Sequence, residues 1–176
     1  MTKAFEEGTA HYGASGHQTG GKVNFVAVGS SATSNMGDDY YSQNFYDISH
    51  YKKSLDKNVL PTFRGMKLNE DDKIRQHATQ QLRSYFRIDY DNFRKNFKIE
   101  PKEYFKKEID YLSEMISDGL VNVDSNGITM TGIGKDFSQN ISNVFDRYDP
   151  PYKSYTERLE TIKKAKELQS KLLDQL

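Results

Sequence analysis

The 176-residue sequence contains no cysteine. The chain therefore cannot build a disulfide bond, a thiolate zinc site or a cysteine-ligated iron–sulfur cluster from its own residues. It also has no run of about 18 apolar residues, the length that a membrane-spanning helix needs. The first residues, MTKAFEEGTAHYG, contain no apolar core like that of a secretory signal. We therefore expect a cytoplasmic location and no membrane partner.

The positive and negative charges of the sequence also balance, so the formal net charge is zero. Lysine plus arginine and aspartate plus glutamate both number 25, so no overall field attracts nucleic acid or an anionic membrane. The hydrophobic share of 35% is low and leaves room for only a small core. The 12 tyrosines and 10 phenylalanines compensate, because each ring buries a large area. The length suits one domain, or one domain and a fragment of another.

The centre of the sequence, within 101–146, reads DGLVNVDSNGITMTGIGKDF and predicts a β-hairpin between two helices. Gly119 is placed to end the first helix, because glycine adopts the left-handed conformation without strain. Ser125-Asn126-Gly127 offers the positive φ angles that a tight hairpin turn needs. Thr131 can cap the second helix with its hydroxyl. This order of elements predicts a winged-helix-like unit.

Apolar residues at helical spacing predict further helices around this hairpin. A short linker helix is expected at 47–56, a longer helix begins at Asn69, and another begins at Asp89. Pro101 opens the helix before the hairpin. His77 is expected to face solvent. The side chains expected to face the core are Ile74, Ala78, Leu82, Tyr85, Phe93, Phe97, Phe105, Ile109, Leu112, Ile116, Ile133, Phe137, Ile141 and Val144.

The segment 23–28, VNFVAV, is nearly continuous in apolar character, which is typical of a strand buried on both faces of a parallel sheet. Such a strand needs neighbours reached through crossover helices, and the preceding sequence offers none. A piece of a larger domain is therefore indicated. Residues 29–44 are expected to form a loop at the end of this strand, where α/β proteins bind ligands. The alternative is an ordinary surface loop.

No pattern for catalysis or metal binding is present. The four histidines have no ligand spacing, and no Ser-His-Asp order, phosphate loop or HExxH occurs. Glu70, Asp71 and Asp72 suit the first turn of a helix. The lysines on the helix before the hairpin are mixed with acids, and the hairpin carries no cation before Lys135, so nucleic-acid binding is not expected. We expect no catalytic residue and no metal ligand in this chain.

Three motifs carry a resemblance to a known family. The run 68–148, with FRIDYDNF, DYLSEMISDGLVNVDSNGITMTGIGKDF and QNISNVFDRY, resembles the C-terminal domain of oxygen-independent coproporphyrinogen III oxidases. The segment SATSNMGDDYYSQN resembles the family's loop after the last barrel strand, where a Gly-Asp, a Tyr and a Gln-Asn recur at this spacing. Glu7-Gly8-Thr9 matches the piece upstream. The resemblance covers nearly the whole chain apart from the C-terminal extension.

The resemblance implies a radical S-adenosylmethionine enzyme of heme biosynthesis. Such an enzyme oxidatively decarboxylates two propionates of coproporphyrinogen III to the vinyl groups of protoporphyrinogen IX. Its cofactors are S-adenosylmethionine and a 4Fe-4S cluster, whose three cysteine ligands lie in the N-terminal half of the family's barrel. This chain is therefore not expected to bind either cofactor stably by itself. An N-terminal barrel half is the expected partner, and coproporphyrinogen III is the expected substrate.

The resemblance also implies roles for single residues. Thr33 matches the position that contacts the reactive S-adenosylmethionine, with Ala32 and Ser34 beside it, although the family has an aliphatic residue at position 33. Ala14 and Ser15 match positions that help to hold a second S-adenosylmethionine, where the family has an aromatic residue and an amide. The chemistry of the side chains suggests four further candidate residues, which either bind porphyrinogen carboxylates or fix the loop. These candidates are Tyr41, Gln43, Asn44 and Arg64.

The predicted fold is mainly α (α+β). Residues 1–66 are expected to be a remnant of the last strand and loop of a radical S-adenosylmethionine barrel, with a flexible start. Residues 67–150 are expected to form a helical winged domain, and residues 151–176 a charged helix. The predicted function is that of the C-terminal part of a coproporphyrinogen III oxidase, not competent alone. The alternative is a non-catalytic helical module that binds a protein or a tetrapyrrole.

Overall fold

The computed structural model describes residues 2–13, 16–20, 24–37, 39–148 and 150–151, and the single positions 160, 163, 164, 167 and 171. The chain divides into two compact units. The first contains Met1–Gly21 and Asp71–Lys153, and the second contains Lys22–Glu70 and Ser154–Leu176. The charged helix predicted over 151–176 lies almost wholly outside the described residues, as do Ala14 and Ser15.

The described residues form both helices and strands, in agreement with an α+β class. The helices are α1 (Thr2–Glu6), α2 (Ile48–Asp56), α3 (Glu70–Tyr85), α4 (Tyr90–Phe97), α5 (Pro101–Tyr104), α6 (Lys106–Tyr111), α7 (Ser113–Ser117) and α8 (Ser138–Asn143), with a 3₁₀-helix at Gly134–Phe137. The strands are β1 (His11–Gly13), β2 (Gly16–Gln18), β3 (Thr33–Met36), β4 (Tyr40–Asn44), β5 (Thr62–Lys67), β6 (Arg87–Asp89), β7 (Val121–Val123) and β8 (Gly127–Met130). Within the described part of the chain, no helix has the length and apolar character that crossing a membrane requires.

The hairpin predicted at the centre of the sequence is present in the first unit, and a third strand joins it. β8 pairs antiparallel with β7 on one side and with β6 on the other, a strand that the sequence pattern does not predict. Gly119 has a φ of 71°, as expected at the end of a helix. The Thr131 hydroxyl accepts a hydrogen bond from the Gly134 N–H at 3.0 Å and so caps the next helix. The order helix, hairpin, helix is confirmed, whereas the winged-helix comparison stays a prediction.

The turn of this hairpin differs from the prediction. The positive φ angles expected over 125–127 do not occur. Instead, the Asp124 carboxylate accepts the N–H groups of Asn126 at 2.7 Å and Gly127 at 3.0 Å, which closes the turn through a side chain. Glycine at 127 serves a close approach between strands, because a Cβ there would lie 2.0 Å from the Ile88 carbonyl oxygen on β6.

The core of the first unit lies between this sheet and the helices. Phe105 is at its centre and meets Phe93 and Phe145 edge-on, with ring centroids 5.8 Å and 5.2 Å away. Such edge-to-face pairs add to the burial of the rings. The buried side chains of this core are Ile74, Ala78, Leu82, Ile88, Tyr90, Phe93, Phe105, Leu112, Val121, Ile128, Met130, Ile141, Val144 and Phe145.

Three residues predicted for the core are exposed, namely Ile116, Ile133 and Phe137. Ile116 was expected to be buried because the sequence pattern predicts one helix over 101–117. The structure instead has three short helices, with interruptions at Phe105 and Leu112. The Ile116 N–H still donates to the Leu112 carbonyl oxygen at 2.8 Å, but its side chain is 39% exposed, one residue before the helix ends at Ser117. Phe137 ends a 3₁₀-helix before α8 begins, and Ile133 precedes that 3₁₀-helix, so neither belongs to the α-helix that buries Ile141.

His77 was predicted to face solvent, and this prediction is wrong. His77 lies on α3, and its ring is half-buried against α4. The ring centroid lies 5.0 Å from that of Phe93 and 5.2 Å from that of Phe97. Its Nε2 lies 2.6 Å from the Asn92 Oδ1 atom. The helical period of α3 alone places position 77 among polar residues, and only the packing of α4 covers it.

The second unit contains a three-stranded antiparallel sheet in the order β3-β4-β5. The linker helix predicted at 47–56 is confirmed as α2, and the Asp47 side chain caps it by accepting the His50 N–H at 2.9 Å. Phe45, Phe63 and Leu68 are buried in this unit. The rings of Phe45 and Phe63 lie 5.6 Å apart.

Two predictions for the second unit are wrong. Over 24–28 the chain makes only one isolated antiparallel bridge, between Phe25 and Asn35, instead of a buried parallel strand. Val26 and Val28 expose 71% and 87% of their surface. The expected loop at 29–44 is largely β-hairpin, because its polar side chains suit a sheet with one accessible face and β5 supplies a further partner strand.

Candidate functional site

The register of the β3-β4-β5 sheet places three of the candidate residues side by side. Thr33 on β3 is opposite Gln43 on β4, and Gln43 is opposite Arg64 on β5. Residues directly opposite one another in an antiparallel pair project from the same face of the sheet. The structure therefore brings together Thr33, Gln43 and Arg64, which are separated by up to 31 positions in the sequence.

The next row on the same face contains Asn35, Tyr41 and Met66, which are two residues further along each strand. The Asn35 amide nitrogen donates to the Tyr41 hydroxyl at 3.5 Å. We call the surface formed by these two rows, Thr33, Asn35, Tyr41, Gln43, Arg64 and Met66, the Arg64 face. Four of its six residues, including the only cation, are therefore residues that the sequence had marked as candidates.

Gln43 connects Arg64 to the backbone. The Gln43 Nε2 donates to the Ser31 carbonyl oxygen at 3.1 Å, and its Oε1 accepts from the Arg64 Nε at 2.8 Å. The Arg64 guanidinium carbon lies 6.0 Å from the centre of the Phe63 ring. The hydrogen bond uses the Nε of the guanidinium, and Arg64 as a residue is exposed.

Asn44 points away from this arrangement and fixes the preceding segment. Its side chain is buried and donates to the carbonyl oxygens of Gly29 at 3.0 Å and Ala27 at 3.4 Å. Its backbone N–H donates to the Ala32 carbonyl oxygen at 3.0 Å. The sequence left two roles open for Asn44, carboxylate binding and fixing the loop. Its contacts favour the second role, because they hold the segment 27–32 in place.

Ser34 and Ala32 also hold this segment in place. The buried Ser34 hydroxyl accepts the Ala27 N–H at 3.0 Å, so it faces the 24–28 segment and not the Arg64 face. Ala32 is half-buried, and its carbonyl oxygen already accepts the Asn44 N–H. Among Thr33, which matches an S-adenosylmethionine contact, and its neighbours Ala32 and Ser34, only Thr33 presents an exposed side chain on the Arg64 face.

Ser31 and Asn35 are two contributors that the sequence analysis missed. Ser31 has a φ of 62°, a left-handed conformation that is uncommon for a residue other than glycine, and its carbonyl oxygen receives the Gln43 amide. Asn35 is buried, and its Oδ1 atom has no hydrogen-bond partner among the described residues. The turn-forming run Gly37-Asp38-Asp39, between two segments of similar length, was the signal that could have predicted the hairpin on which Asn35 lies.

Comparison with known proteins relates this chain to one group of enzymes. No protein-family model matches it. The oxygen-independent coproporphyrinogen III oxidase of Pseudomonas aeruginosa is 36% identical over 150 residues, which is 85% of this chain and 32% of that protein. The protein of the same name from Escherichia coli is 34% identical over 148 residues, which is 84% of this chain and 32% of that protein.

A solved structure agrees with these relatives. The chain superposes on a coproporphyrinogen III oxidase from Escherichia coli, described as a radical SAM enzyme, with a TM-score of 0.76 and 33% identity. The match covers 83% of this chain and 33% of that one. The relatives therefore include an oxidase of the radical SAM class. The chain is a homologue of part of the oxygen-independent coproporphyrinogen III oxidases, and it spans about a third of their length.

Proposed function

We propose that this chain is the C-terminal part of an oxygen-independent coproporphyrinogen III oxidase, acting in the cytoplasm in heme biosynthesis. The reaction would be oxidative decarboxylation of two propionates of coproporphyrinogen III to vinyl groups. The observation that carries the proposal is the Arg64 face. It gathers Thr33, Tyr41, Gln43 and Arg64 on one side of a sheet, in a chain whose relatives carry this name.

Arg64 is the residue best suited to bind the substrate. A guanidinium binds a carboxylate through two parallel hydrogen bonds, and coproporphyrinogen III carries several carboxylates. The terminal nitrogens of Arg64 supply such a pair, while Tyr41 presents a hydroxyl in the neighbouring row. We assign carboxylate binding to Arg64 and Tyr41, and a fixing role to Asn44. Gln43 lies against Arg64, with both ends of its amide already hydrogen-bonded.

The residues of this chain do not fit the iron–sulfur cluster that the relatives imply. The sequence has no cysteine, and the described residues contain no group of three histidine, cysteine, aspartate or glutamate side chains that could hold a metal ion. We propose that a cysteine-bearing barrel half supplies the cluster and that this chain is not competent alone. Thr33 is the proposed contact to S-adenosylmethionine, and Ala14 and Ser15 remain proposed contacts to a second molecule.

Titration of the purified chain with coproporphyrin III, a stable surrogate for the porphyrinogen, tests the substrate assignment. Absorbance and fluorescence should show saturable binding that weakens in the Arg64→Ala variant. Lys67→Ala is the matched control, because Lys67 lies on the same strand but on the opposite face, near Tyr40. Absence of binding at high micromolar concentration, or an equal effect of both variants, would contradict the assignment of Arg64 to substrate binding.

Complementation tests whether this chain completes a larger enzyme. A fragment of the Escherichia coli oxidase without the region that matches this chain would be mixed with it under anaerobic conditions, and protoporphyrinogen formation would be measured. Activity in the mixture and not in either component is the expected result. Activity of this chain alone would contradict the claim that it depends on a partner.

A second candidate is a non-catalytic module that binds a protein or a tetrapyrrole. The sequence at Ala14 and Ser15 favours it, because the aromatic residue and the amide that the family has at these positions are absent. Coproporphyrin binding that persists in Arg64→Ala, together with failure of the complementation experiment, would select this candidate.

A further inference from the structure

We infer that Gln43 is a positioning residue that holds the Arg64 guanidinium in the orientation needed to bind a carboxylate. The inference rests on the proposed function, since it assumes that Arg64 contacts the substrate. In this role Gln43 would not touch the carboxylate itself. It would increase the affinity for the ligand by holding Arg64 in the orientation that binds the carboxylate.

The argument begins with the two ends of the Gln43 amide, which are chemically different. The Nε2 group only donates hydrogen bonds and the Oε1 atom only accepts them. The Ser31 carbonyl oxygen lies 3.1 Å from Nε2, so it selects the donor end. The acceptor end is thereby directed to the Arg64 Nε at 2.8 Å. One backbone carbonyl therefore determines the orientation of the amide, and the amide determines that of the guanidinium.

The carbonyl that begins this chain of contacts is itself well fixed. Ser31 has a left-handed backbone, and its N–H donates to the Phe45 carbonyl oxygen at 3.0 Å. The next residue, Ala32, accepts the Asn44 N–H at 3.0 Å. The Ser31 side chain makes no contribution to the contact with Gln43, so only its backbone is required.

The consequence for Arg64 follows from the planarity of its guanidinium. The contact with Gln43 uses Nε, and the edge formed by the two terminal nitrogens has no hydrogen-bond partner within the part of the chain that the structure describes. That edge can bind a carboxylate through two parallel hydrogen bonds. A long side chain that is already held loses less conformational freedom when the ligand binds. Arg64 is thus prepared before the ligand arrives.

The test compares Gln43→Met with the unsubstituted chain. Methionine has nearly the same length and volume as glutamine but cannot make either hydrogen bond. Affinity for coproporphyrin III should fall about three- to tenfold, because ordering one long side chain costs about 0.5–1.5 kcal/mol. Affinity for coproporphyrin III tetramethyl ester, which has no carboxylate, should not change. Gln139→Met, the same change at an exposed glutamine of the first unit, is the matched control and should bind both ligands normally.

A second measurement detects the orientation of Arg64 without any ligand. The Arg64 Nε–H resonance in a ¹⁵N spectrum should be protected from exchange in the unsubstituted chain and in Gln139→Met, and it should lose that protection in Gln43→Met. Loss of protection together with weaker binding of the acid and not of the ester supports the inference.

The outcomes separate this inference from the proposed function. If the unsubstituted chain binds coproporphyrin III and Arg64→Ala does not, the proposed function stands. Unchanged affinity of Gln43→Met in that case overturns the positioning role alone. An equal loss for acid and ester also overturns it, since that result indicates a general structural effect. If the unsubstituted chain fails to bind, the proposed function and the positioning role both fail.

Discussion

At the scale of single residues, close contacts and buried charges decide which positions tolerate change. Gly127 illustrates a steric requirement, because its Cα hydrogen faces the carbonyl oxygen of Ile88. Glu108 illustrates an electrostatic requirement, because its carboxylate is buried and bonds to the Arg75 guanidinium at 2.8 Å. A buried charge is tolerated only when it is paired in this way.

We predict that Gly127→Ala lowers the free energy of unfolding of the first unit by about 1–3 kcal/mol, a usual cost of overpacking. The added Cβ would lie 2.0 Å from the Ile88 carbonyl oxygen, so β6 and β8 would have to separate. Gly132→Ala is the matched control, since a Cβ there meets no atom within 4 Å. Urea unfolding followed by circular dichroism measures both variants, and equal stabilities would show that the strands can move apart without cost.

Asp71 gives a prediction about pH. Burial alone would raise the pKa of its carboxyl, but the Tyr104 hydroxyl and the Arg75 and Arg147 guanidinium groups outweigh burial and hold the pKa below its ordinary value of 3.8. A carboxyl with a lower pKa in the folded state stabilises the fold above its unfolded pKa, and this contribution disappears as the pH falls through the folded pKa.

We therefore predict that Asp71→Asn lowers the free energy of unfolding by about 1–2 kcal/mol at pH 7, as expected for hydrogen bonds to a charged group. The difference from the unsubstituted chain should shrink as the pH is lowered below about 4. Urea unfolding at pH 7 and at pH 3 measures both values. Asp136→Asn, which changes an exposed carboxylate, should have no effect at either pH. A difference that stays constant with pH would disprove the electrostatic explanation.

At the scale of elements, short helices depend on their ends. α4 has only eight residues, too few to be stable in isolation, so its first turn and its packing must support it. The Asp89 side chain accepts the N–H groups of Asp91 at 3.0 Å and Asn92 at 3.2 Å. This cap also fixes Asn92, whose Oδ1 contacts His77.

We predict that Asp89→Ala destabilises the first unit by about 1 kcal/mol, whereas Asp89→Asn, which keeps a capping oxygen, costs only a few tenths. Hydrogen exchange of the α4 amides measures the effect where it arises. The alanine variant should also increase exchange in the neighbourhood of His77. Equal protection in both variants would mean that packing of Phe93 and Phe97, and not the cap, maintains the helix.

At the scale of the whole molecule, the second unit exposes apolar side chains that a folded protein usually covers. The most exposed are Val28 at 87% and Leu60 at 82%. The chain also spans only about a third of its relatives. Both facts support the proposal that a further part of the enzyme packs against this unit.

We predict that Val28→Ser and Leu60→Ser leave the free energy of unfolding within about 0.5 kcal/mol of the original value, because both side chains are exposed. Each should weaken binding of the truncated Escherichia coli oxidase fragment by about ten- to hundredfold, since covering an aliphatic side chain is worth about 1.5–3 kcal/mol. Ile133→Ser, an exposed aliphatic change in the first unit, is the control. A similar loss in the control, measured by calorimetry, would show that the effect is not specific to the second unit.

The amino-acid sequence by itself determined the local features of this protein. It predicted the hairpin between helices, the end of a helix at Gly119, the capping role of Thr131 and the relation to coproporphyrinogen III oxidases. These features depend on residues close together in the chain or on short motifs. The absence of cysteine is also a property of the sequence, and it excludes a cysteine-ligated cluster built from this chain's own residues.

Only the tertiary structure decided which distant residues meet. The register of β3, β4 and β5 placed Gln43 between Ser31 and Arg64, and the packing of α4 enclosed His77. The segment 24–28 shows the limit most clearly, because its apolar character predicted burial that this chain does not provide. A hydrophobic pattern in the sequence indicates that a segment is more stable when it is buried. Contacts between distant parts of the structure determine which strand it pairs with and what covers it.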